Sequence, residues 1–256
     1  MKIDGHVALI TGASAGIGAA CAAEFARAGA RLAVTARSEE GLRRAAPGAL
    51  IVAGDLTVTD IRRRVVEETL ARYGAIDILV NNAGAGLYMP SWSAPMEEAR
   101  RVIELDFFAL LGMVQLVVPH MRARGGGTIV NVGSIGGKIT LPWLTLYCAA
   151  KSAVGTLTEG LRMELRRDNI RAMLVCPGYV QTNFQSNALL GRPPEELLRR
   201  RHFAITAARC ARDIRRGIER DARTVMSPAS GWILAALASL VPSVVEARLA
   251  AWNGTA

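Results

Sequence analysis

The sequence predicts an α/β domain with a doubly wound parallel sheet of about seven strands, in the order 3-2-1-4-5-6-7, and helices on both faces. Short apolar runs rich in β-branched residues alternate with segments of helical length and period. The runs are almost continuously apolar, as strands covered on both faces should be. Each strand, helix and following strand would form a right-handed crossover, which places consecutive strands parallel.

The order of these runs defines the expected elements. Strands are predicted at residues 6–10, 31–35, 50–53, 76–80, 128–132 and 172–176. Helices are predicted at about 16–28, 59–72, 96–122, 145–166 and 207–220. Since no repeat or low-complexity linker interrupts this alternation, residues 1–256 are interpreted as one domain. Residues 179–203 are polar and marked by Pro193 and Pro194, which predicts an insertion that shapes a substrate site after the sixth strand.

The charge of the chain is basic but carries no nucleic-acid signature. Lys plus Arg number 31 against 22 Asp plus Glu, which gives a net charge of +9. The only lysines are Lys2, Lys138 and Lys151, so nearly all of the positive charge is arginine spread over several predicted helices. Because no basic stretch is interleaved with aromatic residues, we expect a solvated surface rather than a nucleic-acid partner.

The cysteines indicate reduced thiols. Cys21, Cys148, Cys176 and Cys210 are far apart, with no CxxC spacing, and the chain begins directly with a strand pattern instead of a secretory leader. The three histidines lack HExxH-type spacing, so no metal site is expected. A cytoplasmic location follows as the expectation.

A glycine-rich loop follows the first predicted strand and opens the first helix. Glycines at such a turn allow close approach of a pyrophosphate, and the helix N-terminus offers free N–H groups and a positive dipole end. The strand, loop and helix together predict a Rossmann-type dinucleotide site. The residues expected to contact the cofactor here are Gly12, Ser14, Ala15, Gly16, Ile17 and Gly18.

The end of the second strand favours NADP(H) over NAD(H). An acidic residue there would bind both ribose hydroxyls of NAD, but Thr35 and Ala36 occupy the position and Arg37 follows. Arg37, with Ser38, is placed to bind a 2′-phosphate; a surface arginine that ends the strand is the alternative. Asp55, with Leu56 beside it, is expected at the adenine, although a turn or helix-capping aspartate is an equal interpretation.

Tyr147 and Lys151 lie four residues apart at the start of a predicted helix, so both side chains share one face. A phenol titrates near pH 10 in water, and a neighbouring ammonium lowers that value toward the range useful for acid–base catalysis. Taken alone, such a pair is more often packing plus an extended cation.

Five motifs in order resemble the short-chain dehydrogenase/reductase family over residues 2–182. They are the loop at 11–18, Asn81-Asn82-Ala83-Gly84, Ser134, Tyr147-xxx-Lys151 and Pro177-Gly178. The resemblance implies that Tyr147 is the acid/base, that Ser134 holds the substrate oxygen, and that Lys151 lowers the tyrosine pKa and binds the nicotinamide ribose. For Ser134, a loop hydroxyl that caps Gly136-Gly137 is the alternative.

The resemblance also implies further cofactor contacts. Asn82, Ala83 and Gly84 would line the adenosine side. The nicotinamide would be contacted by Pro177, Gly178, Val180 and Thr182.

One position departs from the family. The family usually has an asparagine thirteen residues before a proline, and counting back from Pro119 reaches Asp106. This is the fourth catalytic position, which helps to organise a water that relays protons to the lysine. We expect Asp106 to keep this role, although an ionised carboxylate would offset part of the effect of Lys151 on Tyr147.

Residues expected near the substrate are mostly apolar, namely 86–89, 139–144, Tyr179 and Phe184. They favour oxidoreduction between a lipophilic ketone or aldehyde and its alcohol. Two alternatives stay open: a nucleotide-sensing or scaffold protein weakened by Asp106, and a family member that acts on a carbon–carbon double bond.

The oligomeric state and the role of the C-terminal segment are also considered from the sequence. The resemblance implies a homodimer or homotetramer built on the two long helices at 96–122 and 145–166. The apolar C-terminal segment, about residues 229–252, has three interpretations: a core or interface helix, a lid over the pocket, or a peripheral membrane contact. Pro242 is expected to break it, and 244–252 then looks amphipathic.

Overall fold

The structure, a computed structural model, describes residues 1–193 and 204–251. Its main sheet contains seven strands in the order β3-β2-β1-β4-β5-β6-β9, and all neighbouring strands are parallel. The strands are β1 (Val7–Thr11), β2 (Arg31–Thr35), β3 (Leu50–Ile51), β4 (Ile78–Asn81), β5 (Gly127–Val132), β6 (Ile170–Pro177) and β9 (Thr224–Ser227). The predicted fold class and strand order are confirmed.

Helices connect these strands on both faces of the sheet. They are α1 (Gly16–Arg27), α2 (Glu39–Ala45), α3 (Thr59–Tyr73), α4 (Met96–Ile103), α5 (Ala109–Ala123), α6 (Thr145–Glu164), α7 (Ala207–Glu219), α8 (Gly231–Leu240) and α9 (Pro242–Ala250). Short 3-10 turns cover Ile135–Gly137 and Arg166–Asp168, and a two-stranded ribbon pairs β7 (Val180–Gln181) with β8 (Ile205–Thr206).

Three features differ from the sequence prediction. The edge strand β9 was not located, because its sequence Thr-Val-Met-Ser is not the continuous apolar run that marks the other strands. Helix α2 was not predicted, because its seven residues are mostly polar and give no apolar period. It begins after Ser38, whose side chain accepts a hydrogen bond from the Gly41 N–H. The helix predicted at 96–122 contains one π-helical turn, Glu104–Phe108, between α4 and α5.

The core lies on both faces of the sheet because strand residues alternate between them. Leu9 packs with Met113 of α5 on one face, whereas Ile10 packs with Phe25 of α1 on the other. A smaller cluster lies beside the carboxyl end of the sheet and includes Leu87, Tyr88, Val102, Trp143, Leu144, Tyr147 and Cys148. This cluster forms the apolar side of the candidate site.

The predicted insertion at 179–203 is described only in part, since residues 194–203 lie outside the described chain. Its first part folds back over the strand ends: the N–H of Tyr88 donates to the Leu190 carbonyl at 2.9 Å, and the N–H of Leu189 donates to the Gly86 carbonyl at 2.8 Å. The segment therefore lies against the cluster that contains Tyr147.

Two regions are apolar and long enough to suit a membrane by composition. Met96–Ala123 has 28 residues, but 44% of its most apolar stretch is buried, and α5 packs on the sheet. Helices α8 and α9 pass the same test only as a pair, with a bend of 109° between them. Pro242 starts α9, so the predicted break is confirmed.

Candidate active site

Parallel strands of a doubly wound sheet end at one edge, where ligands bind. The carboxyl ends of β1, β4, β5 and β6 are followed here by the glycine loop, by residues 82–84, by Ser134 and by residues 178–182. Topology alone therefore collects the predicted site residues at one edge of the sheet.

The glycine loop leaves no space for a side chain at Gly12 or at Gly18. Gly12 has φ +66°, and a Cβ there would lie 2.8 Å from the Cα of Ala83. A Cβ on Gly18 would lie 2.4 Å from the Gly12 carbonyl oxygen. Both clashes are with backbone, which cannot move aside as a flexible side chain could. The two glycines thus let the loop pack closely on residues 82–83 and turn into α1, whose N-terminus fits a dinucleotide pyrophosphate.

Thr11 and Asn82 hold the loop in place. The Thr11 hydroxyl accepts from the N–H groups of Asn82 and Ala83 at 2.9 and 3.0 Å. The Asn82 amide donates to the carbonyls of Thr11 and Gly12 at 3.0 and 3.2 Å. Thr11 and residues 82–83 therefore hold the loop in its shape. The sequence did not predict this positioning role for Thr11.

The Arg37 segment lies beside the same loop. The Ala13 N–H donates to the Thr35 carbonyl at 3.2 Å. A Cβ on Gly41 would lie 2.9 Å from the Ser14 Cβ, so the start of α2 touches the loop. Ser38 caps that helix by accepting from the Gly41 N–H at 3.1 Å. Arg37 is exposed and has no ion-pair partner among the described residues, so its guanidinium is available to an anion.

Asp55 serves a turn in addition to any ligand contact. Its Oδ1 accepts from the N–H and the hydroxyl of Thr57, each at 2.9 Å. Its Oδ2 makes no hydrogen bond within the described chain and is half-buried with the residue. Leu56 is buried, and its side chain belongs to the core.

The structure brings Ser134, Tyr147 and Lys151 together at the end of β5. The Lys151 Nζ lies 5.6 Å from the centre of the Tyr147 ring and donates to the Val132 carbonyl at 3.1 Å. A Cβ on Gly136 would lie 3.3 Å from the Ser134 Oγ and 3.7 Å from the Tyr147 Cε1, so the two side chains are neighbours. The Ser134 Oγ also accepts from the Gly136 N–H at 2.9 Å, which is the contact that the capping alternative predicts.

The pKa of Tyr147 moves opposite to the expected direction. Burial raises this pKa above its ordinary value, and the nearby Asp106 charge raises it further, while the hydroxyl of Ser134 lowers it. The expectation that Lys151 would set a low pKa did not account for an almost fully buried phenol. Tyr147 is therefore a protonated phenol at neutral pH in this structure.

Asp106 stands in the π-helical turn, fully buried beside Lys151. Its Oδ1 accepts from the Ala85 N–H at 2.9 Å and lies 3.7 Å from the Lys151 Nζ. Its Oδ2 has no partner within the described chain. Burial raises the pKa of Asp106 to about 6, although Lys151 and the Ala85 N–H oppose the shift. A Cβ on Gly84 would lie 2.3 Å from Oδ1, so the glycine at 84 makes room for this carboxyl.

The segment after β6 closes the site from the other side. Gly178 donates its N–H to the Ser227 carbonyl at 2.8 Å, next to Pro177 at the end of β6. Val180 starts the small ribbon, and the Thr182 Cγ2 lies 3.3 Å from where a Cβ on Gly16 would be. The Phe184 ring is 5.5 Å from the Tyr147 ring. Thr182 thus lies against the glycine loop, and Phe184 of the same segment lies against the tyrosine.

A buried polar chain behind the site was missed from the sequence. The Asn81 amide donates to Asn131 Oδ1 at 3.0 Å, and the Asn131 amide donates to the Thr158 hydroxyl at 3.0 Å. This chain ties β4, β5 and α6 together below Ser134 and Tyr147. The signal that could have revealed it is an asparagine inside an apolar strand, since buried amides need partners.

Comparison with known proteins agrees with this geometry. The family model for short chain dehydrogenase matches residues 6–192. A dehydrogenase/reductase SDR family protein 7-like from Anopheles gambiae is 34% identical over 201 residues, 74% of this chain and 63% of that protein. This chain thus spans less than two thirds of that relative's length. An 11-beta-hydroxysteroid dehydrogenase-like 4A protein from Arabidopsis thaliana is 30% identical, covering 96% of this chain and 84% of that protein.

Solved structures share the whole fold. A short chain dehydrogenase from Burkholderia cenocepacia in complex with NADP has a TM-score of 0.82 at 29% identity, over 97% of this chain and 99% of that one. A 3-ketoacyl-(acyl-carrier-protein) reductase from Brucella melitensis complexed with NADH has a TM-score of 0.80 at 27% identity, over 88% and 97%. The neighbours therefore bind nicotinamide cofactors of both kinds.

Proposed function

This chain belongs to the short-chain dehydrogenase/reductase family, an oxidoreductase family that binds NAD(P), and we propose that it interconverts a lipophilic ketone or aldehyde and its alcohol with NADP(H). The observation that carries the proposal is the joint placement of Ser134, Tyr147 and Lys151 next to the glycine loop. We propose further that residues 1–256 act as one domain, in the cytoplasm. The four cysteines, which are all buried and free, agree with a reducing compartment.

The residue roles follow from the contacts. The bound cofactor would supply or accept the hydride, held by the glycine loop, by Lys151 and by the segment from Pro177 to Thr182. In reduction, Tyr147 gives its phenolic proton to the substrate oxygen. Its raised pKa keeps the phenol protonated at neutral pH, so the proton is available. Ser134 donates a hydrogen bond to the same oxygen. The ammonium of Lys151 stabilises the phenolate that remains.

NADP(H) is proposed because of the end of β2. No acidic side chain directly follows Thr35 to bind ribose hydroxyls, and Arg37, which has no ion-pair partner in the described chain, lies next to the loop that holds Ser14. Arginine binds phosphate oxygens through a planar pair of donors. The capping hydroxyl of Ser38 still has its proton to donate.

A lipophilic substrate is proposed because the residues around the reacting groups are apolar. Tyr147 packs with Leu87, Tyr88 and Trp143, and Phe184 covers its ring. The names of a hydroxysteroid dehydrogenase-like relative and a ketoacyl reductase neighbour agree with an apolar molecule that carries a carbonyl or hydroxyl.

A homodimer or homotetramer is proposed on the long helices. Met96, Phe108 and Met163 are exposed apolar side chains on α4, on the π-helical turn and on α6. Light scattering on the purified chain tests this assembly, and a monomer at micromolar concentration contradicts it.

The test of the reaction is Tyr147→Phe, assayed by NADPH absorbance with a panel of apolar ketones. We expect turnover to fall by about 10²–10⁴-fold, the usual contribution of a positioned acid, with NADPH affinity retained. Tyr73→Phe is the matched control, since the Tyr73 hydroxyl bonds the Leu32 carbonyl away from the site. Retained turnover in Tyr147→Phe contradicts the assignment, and wild-type turnover confined to carbon–carbon double bonds contradicts the carbonyl substrate.

The test of the cofactor is Arg37→Ala. We expect NADPH affinity to fall by about 10-fold or more, since a hydrogen bond to a charged group contributes roughly 1.5–3 kcal/mol, while NADH affinity stays the same. Arg43→Ala is the control, because Arg43 is exposed and pairs with Glu39 in α2. An unchanged ratio of the two affinities in Arg37→Ala refutes the NADP(H) preference.

A further inference from the structure

Helices α8 and α9 present the largest group of exposed apolar side chains in the described chain. Gly231 is the only buried residue described in either helix. Seven large apolar side chains here are between 42% and 78% exposed: Trp232, Ile233, Leu234, Leu237, Leu240, Val241 and Val244. Exposed apolar area of this kind marks a contact surface.

The exposed side chains surround α8 rather than forming one stripe. Successive helix residues are about 100° apart, so Trp232, Ile233 and Leu234 alone cover roughly 200° of the helix surface. The inward direction is taken by Ala235, which packs on the core. A partner helix or sheet covers only a stripe of about 100°. A fluid apolar medium can cover all of the exposed directions at once.

Charge supports a lipid surface. No charged residue lies between Arg223 and Glu246, and Arg248 follows two residues after that glutamate; both arginines are exposed. The whole chain carries a net charge of +9. Anionic headgroups attract basic residues next to an apolar insertion with about 1 kcal/mol each.

The bend decides how the segment would meet a bilayer. Helices of 10 and 9 residues are each about 15 Å long, half of the roughly 30 Å hydrocarbon core. The angle of 109° between them prevents one straight span. The pair therefore suits insertion into a single leaflet.

We propose that α8 and α9 form a docking segment that inserts into one leaflet of an anionic membrane. The segment starts beside the catalytic edge: a Cβ on Gly231 would lie 3.2 Å from the Cδ1 of Ile135, the residue after Ser134. If the proposed carbonyl reaction holds, a lipophilic substrate dissolved in the membrane would be concentrated next to the site.

The test is flotation of the full chain with vesicles in a density gradient at low salt. The vesicles contain phosphatidylcholine and phosphatidylglycerol at about 7:3, with pure phosphatidylcholine as the comparison. The tail variant is Leu234→Glu/Leu240→Glu, and its charge-matched control is Val58→Glu/Trp92→Glu, at exposed apolar positions outside the tail. Single Leu240→Ser replaces the tail variant if thermal unfolding shows that the double variant does not fold.

The proposal expects the wild type and the control to float with anionic vesicles, with at least tenfold less bound tail variant. It is overturned if the wild type does not float, or if the tail variant floats equally well. When the wild type does not float, light scattering identifies the alternative occupant. If the tail variant then dissociates an oligomer, a second copy of the chain covers the helices. Flotation needs no turnover, so a chain that floats without reducing ketones contradicts only the proposed reaction.

Discussion

The glycine loop and the C-terminal helix pair differ in how strongly their surroundings constrain each residue. At Gly18 a single methyl group would lie 2.4 Å from a backbone oxygen, whereas Leu240 leaves 78% of its surface exposed. In the loop, glycine is required where neighbouring backbone leaves no room for a Cβ, so each position could be interpreted by itself. In the C-terminal helix pair, the apolar composition indicates a contact surface but does not identify the partner that covers it. The difference can be tested at the level of single residues.

The largest effect is expected in the loop, for Gly18→Ala. The added Cβ would overlap the Gly12 carbonyl and the Asn82 amide, which lies 2.5 Å away. We expect NADPH affinity to fall more than about 100-fold, with a loss of roughly 3 kcal/mol in the free energy of unfolding. Fluorescence titration and urea unfolding measure the two.

Gly160→Ala is the matched control, since it is also a helical glycine. Its Cβ would meet only Glu164 Oε1 at 3.7 Å, an ordinary contact. Alanine there should stabilise α6 by up to about 1 kcal/mol and leave cofactor affinity alone. Equal affinities for the Gly18 and Gly160 variants would show that the loop does not approach the cofactor closely.

A medium effect is expected for Asp106→Asn, at a fully buried residue beside Lys151 that lies outside both regions. The Asp106 charge raises the pKa of Tyr147, so its removal lowers that pKa and moves the pH profile of alcohol oxidation to lower pH. At pH 7 we expect oxidation to rise by about threefold to tenfold, since one pH unit corresponds to tenfold. Initial rates between pH 5 and pH 10 measure this. A profile identical to that of the wild type would place Asp106 outside the proton path, and a much larger rise would argue against its relay role.

Asp106→Asn should also change how the free energy of unfolding depends on pH. The folded-state pKa of Asp106, about 6, lies above the value of 3.8 for a free side chain. Its contribution to stability is therefore complete below about pH 4 and is lost as the pH rises through 6. Asparagine does not titrate, so the stability of Asp106→Asn relative to the wild type should increase by roughly 2 kcal/mol between pH 4 and pH 8. Urea unfolding at both pH values measures it; a constant difference contradicts the buried charge.

The smallest effect is expected in the tail, for Leu240→Ala. An exposed leucine has little to lose, so the free energy of unfolding should change by less than about 0.5 kcal/mol. Leu9→Ala, in the fully buried centre of β1, should cost about 2–5 kcal/mol by the same measurement. A loss above 2 kcal/mol at Leu240 would mean that the helix pair is covered by protein in solution.

Prediction from the sequence succeeded where the signal is local. Strand β2 and the start of α1 were placed to the residue, because their apolar run and glycine turn lie within a few positions. Helix α2 and strand β9 were not located, since one depends on a cap at Ser38 and the other on pairing with β6. The π-helical turn was missed because no sequence pattern distinguishes it from the helix on either side.

The sequence by itself determined the doubly wound sheet and the glycine loop, because these depend on period and on the missing Cβ. The candidates Ser134, Tyr147 and Lys151 came from the resemblance of five ordered motifs to a family. Only the tertiary structure decided the electrostatics of the site. It brought Asp106 to 3.7 Å from Lys151, 45 residues further along the chain, and buried Tyr147 so that its pKa rises instead of falling. Burial and distance between remote residues set a pKa, and neither is written in the order of the residues.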